Sequence, residues 1–164
     1  MDKNALVQKL IDSLKTSSEV AEREMQAAAD AAAHGADAQA KREDARMAIE
    51  YGGLALGQRK RVEQSRIALS AIESWHPRPI RQGAPIEVGA IIEVEDEDNR
   101  SGRTLFLAPA GAGCELTGPG GDGFLSVITP QSPLGRALIG ETEGDSVDVI
   151  VAGKTLSYEI TWVE

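Results

Sequence analysis

Trp75-His76-Pro77-Arg78-Pro79 divides this chain into two unlike stretches. Residues 1–75 contain no proline and only four glycines: Gly35, Gly52, Gly53 and Gly57. Residues 76–164 hold all 7 prolines and 13 of the 17 glycines. Proline fixes its own φ, lacks an N–H, and pushes the preceding residue out of the helical region. Two prolines in three residues therefore end a helix and begin an extended segment. The expected organisation is a helical unit over 1–75, a linker over 76–85 and a second domain over 86–164.

Upstream of the prolines the pattern is helical. Leu6, Leu10, Leu14, Ala21, Met25, Ala28 and Ala32 recur mostly at steps of three and four, lining one face of a helix from about Asn4 to Ala33. His34-Gly35-Ala36-Asp37 reads as a stop and a restart, with Gly35 suited to a helix end and Asp37 to the next N-cap. The second helix is expected from about Ala38 to Trp75, with Met47, Tyr51, Leu54, Val62, Leu69 and Ile72 on or near its seam. Gln58, Arg61 and Ser65 fall on the same seam, and Gly52-Gly53 weakens the helix at about 1 kcal/mol per glycine. Two such helices joined by a short turn form an antiparallel coiled-coil hairpin. Its shorter arm, at about 1.5 Å per residue, would be about 45 Å long. A hairpin of that length has little core of its own but carries its turn far from its base.

Downstream the pattern is β. Strands are expected over Ile86–Val94, Arg103–Ala108 and Phe124–Thr129, with an acidic turn from Glu95 to Gly102 and a glycine-rich loop from Ala110 to Gly123. Ser132 to Ile139 reads as a short helix with Pro133 at its permitted first position. Ser146–Val151 and Leu156–Val163 form a closing hairpin around Ala152-Gly153-Lys154. The fold class is α+β: a long helical hairpin followed by a small antiparallel sheet with one short helix.

Composition narrows the function. The chain has 164 residues and a net charge of −9. The first 75 residues balance 11 Lys/Arg against 12 Asp/Glu, whereas the remainder holds 6 against 14. An acidic second half repels phosphate backbones, so no autonomous DNA binding is expected, and a basic protein surface is the better partner. The single cysteine, Cys114, excludes a disulfide framework and paired-cysteine metal sites. His34 and His76 lie at opposite ends of the second helix and cannot share a metal or build a triad. Gly118–Gly123 lacks the lysine and following helix of a phosphate loop. Met1-Asp2-Lys3 lacks the apolar core of a signal peptide, and no stretch approaches the about 20 apolar residues of a membrane span. A cytoplasmic monomer with no membrane association and no cofactor of its own is the expectation.

Ser132-Pro133, Arg136-Ala137-Leu138, Gly144-Asp145 and Tyr158-Glu159-Ile160 together resemble the C-terminal domain of the GreA/GreB transcript cleavage factors. Gly57-Gln58-Arg59 lies where that family has a Gly-Arg pair in its second helix. The resemblance implies an FKBP-like second domain that sits on RNA polymerase at the mouth of the secondary channel, with the hairpin entering the channel. It implies that acidic tip residues help the polymerase hold a second magnesium and a water, while the polymerase cleaves its own backtracked RNA. The factor thus has no active site of its own and meets the nascent RNA 3′ end only indirectly. Carboxylates suit that task because magnesium takes hard oxygen ligands.

The family's tip carries an Asp, two residues, then a Glu. Counted back from Gly57, those slots fall at Ala38 and Lys41, neither of which is acidic. Asp37, Glu43 and Asp44 are the acidic tip candidates; Asp37 also reads as an N-cap, and Glu43-Asp44 as a solvated face beside basic neighbours. Lys41, Arg42, Arg46, Arg59 and Lys60 form a basic hairpin face suited to RNA or to acidic channel walls, or simply to solubility. Ser132, Pro133 and Leu134 are the candidate docking loop. Two outcomes stay open within the resemblance: stimulation of cleavage, and occupation of the channel without cleavage. Outside it stand an FKBP-like isomerase, for which Phe106, Phe124, Tyr158, Trp162 and Trp75 offer few pocket aromatics, and a coiled-coil adaptor, which the polar seam disfavours.

Overall fold

The computed structural model describes residues 2–36, 42–118 and 123–164, and the side chains of all of these except 32–36, 42–51 and 55. Two long helices come first, α1 (Lys3–Ala36) and α2 (Arg42–Glu73). Six strands and one short helix follow: β1 (Ile91–Asp96), β2 (Gly102–Leu107), β3 (Glu115–Thr117), β4 (Phe124–Ile128), α3 (Pro133–Leu138), β5 (Ser146–Val151) and β6 (Lys154–Val163). Contacts group the chain into two compact units, Ser13–Ser70 and a second made of Met1–Asp12 with Ala71–Glu164.

The Ser13–Ser70 unit is the helical hairpin. On α1, Leu14, Ser18, Ala21 and Ala28 are buried and Met25 is half-buried. On α2, Val62 is buried and Gln58, Ser65 and Leu69 are half-buried. Both series advance by alternating steps of four and three, the 3.5-residue repeat of a left-handed coiled coil. Ser18 fills the seam position that apolar spacing leaves blank between Leu14 and Ala21. Two expected seam residues lie off the seam: Leu54 is 52% exposed and Arg61 is exposed. Each lies one position off the repeat, which passes through Val62 and Gln58 and whose next step of three falls at position 55. The helix also runs unbroken through Gly52 and Gly53. The expected stop at His34-Gly35 is not there, because α1 continues through Gly35 to Ala36; α2 is described from Arg42 to Glu73 rather than from Ala38 to Trp75, and residues 37–41, with the expected cap Asp37, lie outside the described residues.

In the other unit the strands form one six-stranded sheet in the order β3-β4-β2-β1-β6-β5. The expected antiparallel sheet is in fact mixed, because β2 and β4 run parallel from Thr104↔Leu125 to Leu107↔Ile128. A parallel pair needs a crossover of about a dozen residues, and residues 108–123 supply it. That crossover contains β3, a three-residue strand within the expected glycine-rich loop, antiparallel to β4.

The first strand begins at Ile91 rather than Ile86, because Gly89 adopts φ +110° and turns the chain. A Cβ there would lie 3.5 Å from Pro77 Cβ and 3.6 Å from Trp75 Cζ2, ordinary contact distances, so the positive φ rather than crowding favours glycine. Ile86 is still buried, held by hydrogen bonds with Glu141 O and Gly140 N. The final hairpin turns through Ala152 (φ 50°) and Gly153 (φ 79°) between paired Val151 and Lys154, the two-residue turn whose twist suits a hairpin.

Ile91 and Ile92 are consecutive strand residues and both are fully buried, as are Phe106 and Leu107. Successive side chains point to opposite faces, so both faces of the sheet are covered there. One face joins Ile92, Val94, Leu105, Leu107, Val147, Val149, Tyr158 and Ile160 with Leu138 of α3. On the other, Phe106 meets Trp75 at a ring-centroid separation of 5.8 Å. Leu6, Leu10 and Ile72, from the helix ends in this unit, are fully buried as well. Lys9 Nζ donates to the carbonyls of Thr117 (2.9 Å) and Gly118 (3.2 Å).

Candidate functional site

The tightest local construction outside the hairpin is Thr129–Leu138. Thr-Pro-Gln-Ser-Pro cannot continue the strand, since Pro130 and Pro133 lack the N–H a ladder needs. Ser132 instead caps α3. Its backbone is extended (φ −68°, ψ 150°), its Oγ accepts from the Gly135 N–H at 3.0 Å, and its hydroxyl donates to Thr129 O at 2.8 Å. Pro133 occupies the first helical position, where a missing N–H costs nothing.

Thr129 O also accepts from Ser132 N at 3.0 Å. It packs so closely on α3 that an ideal Cβ on Gly135 would lie 2.0 Å from it and 2.8 Å from Ser132 Oγ. Arg136 Nη2 donates to Gln131 O at 2.9 Å, bracing the loop from outside. At the far end, Ile139 N donates to Gly135 O at 3.2 Å and Gly140 turns the chain at φ +90°.

The consequence is a division of labour among the expected docking residues. The Ser132 hydroxyl is spent inside the loop as both donor and acceptor, so it shapes the loop rather than offering a free contact. Leu138 is fully buried and Leu134 is half-buried against the same core. Pro133 is exposed, a rigid apolar knob on a preorganised turn beside Gln131 and the exposed Arg136. The geometry suits recognition of a complementary surface at small entropic cost. Gly135 is the residue sequence reasoning missed. Its signal was a glycine at the third position of a short helix, where alanine would ordinarily be preferred.

The remaining candidates lie on the hairpin. Asp37 and Lys41 fall outside the described residues. Arg42, Glu43, Asp44 and Arg46 belong to the opening turns of α2. Acidic residues at a helix start complement its dipole, at about 0.3–1 kcal/mol each. Arg59 and Lys60 are exposed on α2, about four turns further along, and none of the ion pairs among the described residues involves them. The structure thus brings Ser132, Pro133 and Leu134 together on one turn and keeps Arg59 and Lys60 apart from Glu43 and Asp44 along α2. Among the described residues no group of three or more His, Cys, Asp or Glu is arranged to hold a metal ion, and no helix is long and apolar enough to cross a membrane.

Residues 82–164, half of the chain, match the family described as "Transcription elongation factor, GreA/GreB, C-term". The transcription elongation factor GreA of Paracoccus denitrificans is 37% identical over 101 residues, covering 61% of this chain and 58% of that protein. GreA of Polaromonas naphthalenivorans is 30% identical over 103 residues, covering 63% and 60%. The chain thus aligns with about three fifths of the length of these curated relatives. Among solved structures, Gfh1 of Thermus aquaticus aligns with a TM-score of 0.41 at 14% identity, covering 93% of this chain and 92% of that one. A GreA/GreB factor from Nitrosomonas europaea gives 0.38 at 17%, covering 60% and 77%. On the match through its second half, the chain belongs to the GreA/GreB family of transcription elongation factors.

Proposed function

We propose that this chain binds RNA polymerase at its secondary channel and modulates elongation there. The observation that carries the reading is the family match over residues 82–164, which contains the braced Ser132–Leu138 turn with Pro133 exposed. In this reading that turn docks the sheet domain on the polymerase, and the hairpin carries its connection, residues 37–41, into the channel. The chemistry belongs to the polymerase. Asp37, Glu43 and Asp44 are the acids available to steady its second magnesium, and Lys41, Arg42, Arg46, Arg59 and Lys60 supply positive charge toward extruded RNA or acidic walls. Carboxylate oxygen is the donor that a hydrolytic two-metal centre takes.

A specific observation favours a second reading. Ala38 and Lys41 stand where the family's tip acids are expected, so the hairpin would fill the channel without completing the metal site and would inhibit synthesis. The full chain added to a backtracked elongation complex at physiological magnesium separates the two. Shortened RNA supports cleavage stimulation through the displaced acids. Blocked synthesis with intact RNA supports inhibition. No effect on either would remove the function.

A further inference from the structure

The sheet has two edges, and they are unequal. β3 has only three residues, whereas β5 is a six-residue strand paired with β6 in unbroken register from Ser146↔Glu159 to Val151↔Lys154. Proteins protect long edges with lysine, proline, a bulge or a covering segment. Ser146-Val147-Asp148-Val149-Ile150-Val151 has no lysine, proline or bulge. Its turn closes on Val151 and Lys154, and Ile160 N donates to Asp145 O at 2.8 Å, so the odd-numbered residues bond toward β6. In an antiparallel ladder the alternate residues, Ser146, Asp148 and Ile150, then direct their N–H and C=O groups to the open edge. Val147 and Val149 are buried in the core, but Ile150 is 71% and Val151 49% exposed. The one charge on the strand, Asp148, accepts from the Ser157 hydroxyl at 2.6 Å.

We propose that β5 pairs antiparallel with β5 of a second copy of this chain, about a two-fold axis at Val149, joining two sheets reversibly at high concentration. Axes at Ser146 and Val147 leave Ile150 beyond the ladder, because Gly144 turns the chain at φ 94°. An axis at Asp148 sets that carboxylate against its own copy, which is repulsive. An axis at Ile150 cuts the ladder short, because Ala152 and Gly153 turn away. An axis at Val149 pairs Val147 through Val151 in full, with Asp148 opposite Ile150. It also runs the hairpin end carrying Lys154 past Glu143–Asp145 of the other copy. Lys154, just past the turn, is exposed and enters no ion pair among the described residues, and Asp145 accepts from Thr142, so a cation at the turn of each copy approaches acids of the other. The net charge of −9 opposes association, but at physiological salt its reach falls to about 8 Å. The pair is therefore weak, and a monomer is expected in dilute solution.

Sedimentation velocity of the full chain, from micromolar to near-millimolar concentration at physiological salt, tests this without polymerase. The wild type should shift toward a dimer as concentration rises. Ile150→Asp opposes acid to acid at two places and should weaken association by about tenfold or more. Ile150→Lys opposes a cation to Asp148 and should associate at least as well as the wild type. The site is exposed, so both variants should melt as the wild type does. A wild type that stays monomeric throughout overturns the proposal, as do two variants that behave alike.

Discussion

Gly135→Ala puts the least room in the molecule under test. An ideal Cβ at that position would sit 2.0 Å from Thr129 O, 2.8 Å from Thr129 C and 2.8 Å from Ser132 Oγ. Non-bonded carbon and oxygen need over 3 Å, so Thr129 O must retreat by about 1 Å or α3 must lift. Either motion pulls on the bonds that converge there: Ser132 N to Thr129 O (3.0 Å), Ser132 Oγ to Thr129 O (2.8 Å) and Gly135 N to Ser132 Oγ (3.0 Å). Losing the cap costs about 1 kcal/mol and overpacking about 1–3 kcal/mol. Against this, alanine gains up to about 1 kcal/mol in helix propensity. The net expectation is a loss of about 1–3 kcal/mol.

Both tryptophans, Trp75 and Trp162, lie in the unit that contains this turn, so urea unfolding followed by tryptophan fluorescence reads it directly. Gly57→Ala is the control. No atom lies within 4 Å of its Cβ position on an exposed stretch of α2, so the helix should gain about 0.5–1 kcal/mol by circular dichroism. A Gly135→Ala protein as stable as the wild type would refute the close-approach argument.

The hairpin seam makes a second test. Gln58 Oε1 is buried with no hydrogen-bond partner among the described residues, so Gln58→Leu should raise hairpin stability by about 1–2 kcal/mol in a thermal melt, and a lowered midpoint would contradict it. The Thr142 hydroxyl (2.8 Å), followed by the Thr142 N–H (2.8 Å), holds the Asp145 carboxyl below its usual range. A depressed folded-state pKa gives stability that is fully present above the ordinary aspartate value, about 3.9, and is lost as pH falls through the folded value. Asp145→Asn should therefore flatten the acid side of the stability profile below about pH 4, and an unchanged profile would count against the interaction. Arg59→Ala with Lys60→Ala should leave stability within about 0.5 kcal/mol, because both residues are exposed; a larger loss would mean the pair holds the hairpin together.

Much of the fold is legible in residue type alone, because backbone-restricting residues act locally. Pro77 and Pro79 end the second helix wherever they sit, Ser132-Pro133 starts a helix by capping, and Ala152-Gly153 makes a hairpin turn. What escaped reading depends on distant partners. Ser18 sits in the hairpin seam although it is polar, and Leu54 faces out although it is apolar, because the repeat and not the side chain decides the face. Gly89 breaks an apparent strand by taking φ +110°, a backbone angle that residue pattern does not announce. The three-residue strand at Glu115–Thr117 has no pattern long enough to read. In the candidate site, Pro133 and Ser132 were visible, whereas Gly135 follows from Thr129 approaching in space.

In the proposed function, the sheet domain docks on RNA polymerase through the Pro133 turn. Equilibrium binding of the full, fluorescently labelled chain to core polymerase, compared with its Pro133→Asp variant, tests it most directly. A charge on the exposed knob should weaken saturable binding by about tenfold or more while leaving the unfolding midpoint unchanged, since Pro133 lies outside the core. No binding by the wild type, or equal binding by a folded variant, would contradict the account.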